Sequence, residues 1–158
     1  MTNHQSLPMQ SEIQHILWVL KSTFEKNAWY GPFIKEVLKD ITPVLATKRI
    51  SNTHSIIELI GHMTAWRTFV VKKLEGGVDY NVTDELNFPS QTNWEASVNA
   101  LEESQKKLIV VIQKFDPSRL HNLVPHHSYK YTFYGLLHGI IHHDIYHIGQ
   151  IVLIKKSN

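Results

Sequence analysis

Apolar residues recur at three- and four-residue intervals over four long stretches of this chain, the period of a helix and not the alternation of a strand. The first stretch runs from about Met9 to Asn27, with Ile13, Ile16, Leu17, Leu20 and Phe24 on one face. Gly31-Pro32 breaks it, and a shorter amphipathic piece, Phe33 to Leu38, leads into Pro43 and a polar stretch. The second opens on Ser55-Ile-Ile-Glu58, a capping box in which serine and glutamate satisfy amides left without partners in the first turn. It continues through Ile60, Met63, Trp66, Phe69 and Val70 and stops at Gly76-Gly77. Residues 78 to 91, rich in Asn, Asp, Pro and Ser, read as a loop. Thr92-Asn-Trp-Glu95 is a second capping box and predicts a third helix to about Phe115, ended by Asp116-Pro117. After a connector spanning His121 to Lys130, Thr132 caps a last helix that reaches Ile154, with Lys155 and Lys156 at its negative end. Four such helices predict an all-α four-helix bundle with a short extra helix after the first. With no internal repeat or low-complexity tract, residues 1–158 read as one domain.

A chain of 158 residues can bury a sufficient core without disulfides or a structural metal. The net charge of +2 is not gathered into a basic stripe, which argues against a nucleic-acid partner. Cysteine is absent, and this excludes disulfides, zinc–thiolate sites and a thiol nucleophile. The start, Met1-Thr-Asn-His-Gln-Ser, has neither the positive nor the apolar region of a signal peptide. No apolar run approaches the roughly 20 residues needed to span a bilayer. The expected location is therefore the cytoplasm, with no membrane partner. Eleven histidines are the anomaly that asks for an explanation.

A helical wheel at about 100° per residue sorts them. With His138 at the origin of the last helix, the apolar residues fill an arc from about 160° to about 340°. His143 falls at about 140° and His147 at about 180°, side by side at the edge of that arc. His138 itself and His142, at about 40°, face the wetter side. Residues four apart stack one turn above another, so His143 and His147 can reach a single ion. Neutral imidazole suits zinc, nickel, copper or iron. On the second helix His62 lies inside the apolar arc, where both ring nitrogens need partners. A core histidine bonded to a carbonyl is the ordinary fate of such a residue, and ligation competes with it once an inward-facing pair lies on another helix. Asp144 also falls inside an apolar arc. Such a carboxylate orients a ligand imidazole, binds the ion itself, or pairs with a group on another helix.

Two segments carry a resemblance to a known family. His143-Asp-Ile-Tyr-His147-Ile-Gly-Gln150-Ile resembles the final-helix signature of the DinB-like metalloproteins, a four-helix-bundle superfamily. Ser55-Ile-Ile-Glu-Leu-Ile-Gly-His62-Met-Thr-Ala-Trp66 resembles the family's second-helix motif, and Ala28-Trp29-Tyr30-Gly31-Pro32 its turn after the first helix. His54 departs from the pattern, since many members carry tryptophan there. The resemblance implies that His62, His143 and His147 ligate one divalent transition metal. Zinc or nickel is the usual assignment, with iron or manganese as further candidates. It also implies a homodimer and a small-molecule substrate.

Three neutral imidazoles leave an ion its full charge and at least one open position. Within the resembled family that chemistry serves thiol-S-transferases using bacillithiol-like or mycothiol-like thiols, and hydrolases. The alternative is a stress-response or binding module whose metal is structural or vestigial. No catalytic residue can be assigned from the sequence. Asp144 and Gln150 are the auxiliary candidates, Gln150 falling beside His143 on the wheel. Trp66, one turn after His62, fits a core aromatic or a pocket wall. Tyr146 reads as exposed, and His126 and His127 could line an entrance.

Overall fold

The computed structural model describes residues 9–125 and 130–157. Four long helices, α1 (Met9–Phe24), α4 (Ile56–Leu74), α6 (Trp94–Lys114) and α7 (Phe133–Lys156), form the bundle. Three short ones, α2 (Ile34–Leu38), α3 (Pro43–Ala46) and α5 (Asp84–Asn87), lie in the connections. Among the described residues there is no strand, only an isolated antiparallel bridge between Leu123 and Thr132. No described helix is long and apolar enough to cross a membrane.

The expected caps are mostly in place. Glu58 Oε2 accepts from Ser55 N at 2.8 Å, and Thr132 Oγ1 from Gly135 N at 3.1 Å. At α6 the cap sits one residue later than expected: Asn93 accepts from Ala96 N at 2.8 Å, and Thr92 lies outside the helix. α1 ends at Phe24, short of the expected Asn27, which adopts φ 62°. The polar stretch after Leu38 and the loop at 78–91 each contain one extra helical turn, capped by Thr42 and Thr83. Both short helices exploit a threonine three residues ahead of a free amide, a local signal that apolar periodicity does not carry.

Helices α1 and α4 each pack against both α6 and α7. The core falls into two apolar layers. One joins Ile13 to Leu20, Phe69 to Leu74, Leu108 to Phe115 and Phe133 to Ile141. The other joins Phe24, Ile56 to Met63, Trp94, Leu101 and Ile148 to Ile154. The start of α4 thus shares a layer with the end of α7, so these two helices run antiparallel. α4 and α6 run in the same sense, and residues 75–93 must cross the length of the bundle between them.

A polar layer separates the two. Arg67 Nη2 donates to Asp144 Oδ2 at 2.6 Å, both side chains being wholly buried. Arg67 Nε donates to Gln105 Oε1 at 3.3 Å, and Gln105 Nε2 to Leu20 O at 3.4 Å. The guanidinium also lies 5.2 Å from the centre of the Phe24 ring. All four long helices therefore meet in one charged crossing. Such a pair is close to neutral against an apolar replacement, but losing one member leaves an uncompensated buried charge. Its position fixes how far α4 and α7 slide past each other, and so the height at which their histidines meet.

Candidate metal centre

His62 stands on the second turn of α4, and His143 and His147 stand on successive turns of α7. Counting from the helix starts suggests that parallel helices would need an axial shift for the three to meet. In the antiparallel arrangement the facing ends are the start of α4, near which His62 lies, and the end of α7, from which His147 is somewhat farther, so a smaller axial shift brings them together. The Nε2 atom of His143 lies 2.9 Å from Nε2 of His62 and 3.2 Å from Nε2 of His147. One ligand atom from each ring lies within 4.8 Å of the others, and the group could hold a metal ion. Nitrogens bound tetrahedrally at about 2.0–2.1 Å stand about 3.3 Å apart, close to the two separations measured from His143 Nε2.

The far sides of two rings are tied down. His62 Nδ1 lies 2.7 Å from the main-chain oxygen of Asn87, which can only accept, so Nδ1 carries the proton and Nε2 a lone pair. His147 Nδ1 donates to Gln150 Oε1 at 2.6 Å, with the same consequence for its Nε2. Gln150 Nε2 in turn donates to the Tyr146 hydroxyl at 3.2 Å. Two lone pairs thus face His143 Nε2. A single proton there can serve only one of them well, whereas a cation satisfies all three nitrogens. His143 Nδ1 is buried with no hydrogen-bond partner among the described residues. Packing and whatever Nε2 binds are left to orient this ring.

Electrostatics favour the ligating form. Burial pushes His143 down to about 3, helped by the neighbouring His147 and His62 and by Arg67. It pushes His147 down to about 4 and lowers His62 as well. Each imidazole is therefore neutral at physiological pH, the state that metal coordination requires.

The crossover between α4 and α6 supplies the rest of the surround. Asn87 ends α5, where helix carbonyls have no partner within the helix, and its side-chain oxygen accepts from Trp66 Nε1 at 3.0 Å. Phe88 stacks on His62 with ring centres 4.3 Å apart, and His54 stacks on the other face of Phe88 at 3.6 Å. The half-buried Trp66 lies 6.0 Å from His143 and lines a cavity of about 370 Å³ that His143 also borders.

Asp144 makes no hydrogen bond to any of the three imidazoles among the described residues; its Oδ2 accepts from Arg67, and its Oδ1 is buried with no hydrogen-bond partner among the described residues. Burial raises its carboxyl to about 6 against the opposing pull of that guanidinium. His142 and Tyr146 are exposed, as expected. His138 is not on the open surface: it is half-buried against Tyr134, ring centres 4.3 Å apart, because the bundle covers more of α7 than the apolar arc alone indicates. His126 and His127 lie outside the described residues.

Asn87, Phe88 and Arg67 are the site residues that sequence reasoning misses. Arg67 left a usable signal, since on the α4 wheel it falls inside the apolar arc, as Asp144 does on α7. Two opposite charges in two apolar arcs invite pairing. Asn87 left none, because any residue offers a main-chain oxygen.

A family model described as the DinB superfamily matches residues 34–151. No match was found among curated proteins or among solved structures.

Proposed function

The chain belongs to the DinB superfamily, and we propose that it binds one divalent transition ion through His62, His143 and His147 and uses it to transform a small molecule. The observation that carries this reading is the convergence of three Nε2 atoms while the Nδ1 atoms of His62 and His147 are held by Asn87 and Gln150. A donor set of three neutral nitrogens without thiolate or carboxylate suits zinc or nickel and also accommodates iron or manganese. Three protein ligands leave a coordination position free, which fits an active centre better than a closed structural one. An ion bound there supplies Lewis acidity toward a sulfur or oxygen nucleophile at neutral pH.

The chain's own groups prepare that chemistry. Asn87 and Gln150 fix the tautomers, burial keeps the rings unprotonated, and the Arg67–Asp144 pair sets the height of α7 against α4. A hydrolase would need a general base beside the ion, and the carboxylate next in sequence to a ligand, Asp144, is wholly buried, paired through Oδ2 with Arg67 and bonded to none of the three imidazoles among the described residues. A small organic substrate, by contrast, has room beside His143. We therefore favour transfer of a low-molecular-weight thiol to a small molecule, by a homodimer in the cytoplasm. Conjugation of monochlorobimane with a panel of thiols tests this. The wild type should be faster than His147→Ala with at least one thiol, and equal rates across the panel would remove the transferase reading.

A further inference from the structure

The cavity beside His143 has a chemistry of its own. From α4 it is walled by Trp66, Phe69 and Val70, and from α7 by Leu136 and Ile140, with His143 at its border. Among the described residues no Asp, Glu, Lys or Arg lines it, and burial holds the Tyr131 phenol up to about 12. A charged ligand group placed there would lose its hydration with no opposite charge to replace it.

On the α7 side the cavity is edged by the exposed Gly135 and Gly139, one turn apart and leading to His143 at the next turn. Glycine inside a helix is costly relative to alanine. Neither position demands it on the protein's own account. A Cβ on Gly139 would meet nothing within 4 Å, and one on Gly135 would make only ordinary contacts, 3.6 Å to Thr132 Oγ1 and 3.7 Å to Tyr131 Cβ. Neither residue has positive φ. Both residues are exposed and both line the cavity, so a longer side chain at either would stand at its open edge.

We propose that this cavity binds the uncharged apolar arm of the small molecule whose reactive head lies at the three histidines, and that Gly135 and Gly139 keep the space open for it. The position of the head rests on the metal reading above; the arm site does not. At about 370 Å³ the space lies at the lower end of small-molecule pockets, which suits an aromatic ring or a medium-length alkyl chain and not a large polar conjugate.

Two probes separate the arm from the head. The neutral fluorophore N-phenyl-1-naphthylamine is titrated into zinc-free and zinc-loaded protein. One molecule should bind per chain in both forms. Gly139→Leu should weaken binding at least tenfold, and Gly149→Leu, equally exposed but away from the cavity, should not. Acetohydroxamate and octanohydroxamate are then compared on zinc-loaded wild type, which needs no variant to fold. The longer chain should bind at least tenfold tighter and displace the fluorophore, and Gly139→Leu should erase that gain while leaving acetohydroxamate and zinc binding unchanged. Undiminished fluorophore binding in a folded Gly139→Leu protein, or equal affinities for the two hydroxamates, would overturn the proposal. If zinc does not bind at all but the fluorophore still binds and is expelled by Gly139→Leu, the arm site stands and the metal reading falls.

Discussion

The main-chain oxygen of Asn87 accepts the Nδ1 proton of His62 at 2.7 Å, across 25 residues of sequence. The crossover that connects α4 to α6 is thereby part of the site. The side chain of Asn87 also holds the Trp66 indole. Asn87→Ala should therefore keep full metal stoichiometry and lose about 1 kcal/mol of stability, the ordinary worth of one hydrogen bond. Metal content and urea denaturation of the same preparation check this, and loss of the metal would show that the side chain and not the main chain orients His62.

Gln150 acts on His147 through its side chain, so replacement should strike affinity directly. Partners of ligand imidazoles are worth about 10–100-fold in metal affinity. Gln150→Leu should show a loss in that range when metal is titrated against a chelator, and Gln150→Glu, which keeps an acceptor at the same reach, should recover most of it. An unchanged affinity in Gln150→Leu would remove the role assigned to this contact.

The buried pair predicts a non-additive pattern. Asp144→Ala leaves Arg67 charged in the core and should cost about 3–5 kcal/mol. Arg67→Met combined with Asp144→Leu should cost far less than the sum of the single changes. Denaturant titrations around the double-mutant cycle measure the coupling. Additive losses would mean that the two side chains do not depend on each other.

In metal-free protein, acid should act through the site histidines. His143 and His147 are held at about 3 and about 4, against 6.5 for an unperturbed imidazole. Below about 6.5 the unfolded chain takes up protons that the folded site refuses, so stability falls as pH drops through that window and returns as pH rises. Asp144, raised to about 6 from 3.8, works in the opposite direction between those values. The histidine contribution is therefore read as a difference: the slope of stability against pH between about 5 and about 7 should be steeper in wild type than in His143→Leu/His147→Leu. Equal slopes would contradict the depressed values.

Much of this was legible in the residues. The wheel places His143, His147 and His62 toward the interior because each side chain's phase follows from sequence alone. The capped starts of α4 and α7 are equally local. Helix direction is not: how large an axial shift brings His62 to His147 depends on the two ends of the bundle that residues 75–93 connect. Asp144 shows the same boundary, since its burial follows from phase, while its partner sits 77 residues away on a helix whose orientation the sequence leaves open. The second turn at 84–87 and the oxygen that Asn87 offers arise from main-chain geometry, which residue type barely marks.

The central claim is the ion itself, and metal analysis of untagged protein tests it most directly. One divalent ion per chain is expected, with a melting temperature that falls on chelation, and His143→Ala should lack both the ion and the response. Purified wild type that carries no stoichiometric metal, and whose melting temperature chelation leaves unchanged, would contradict it.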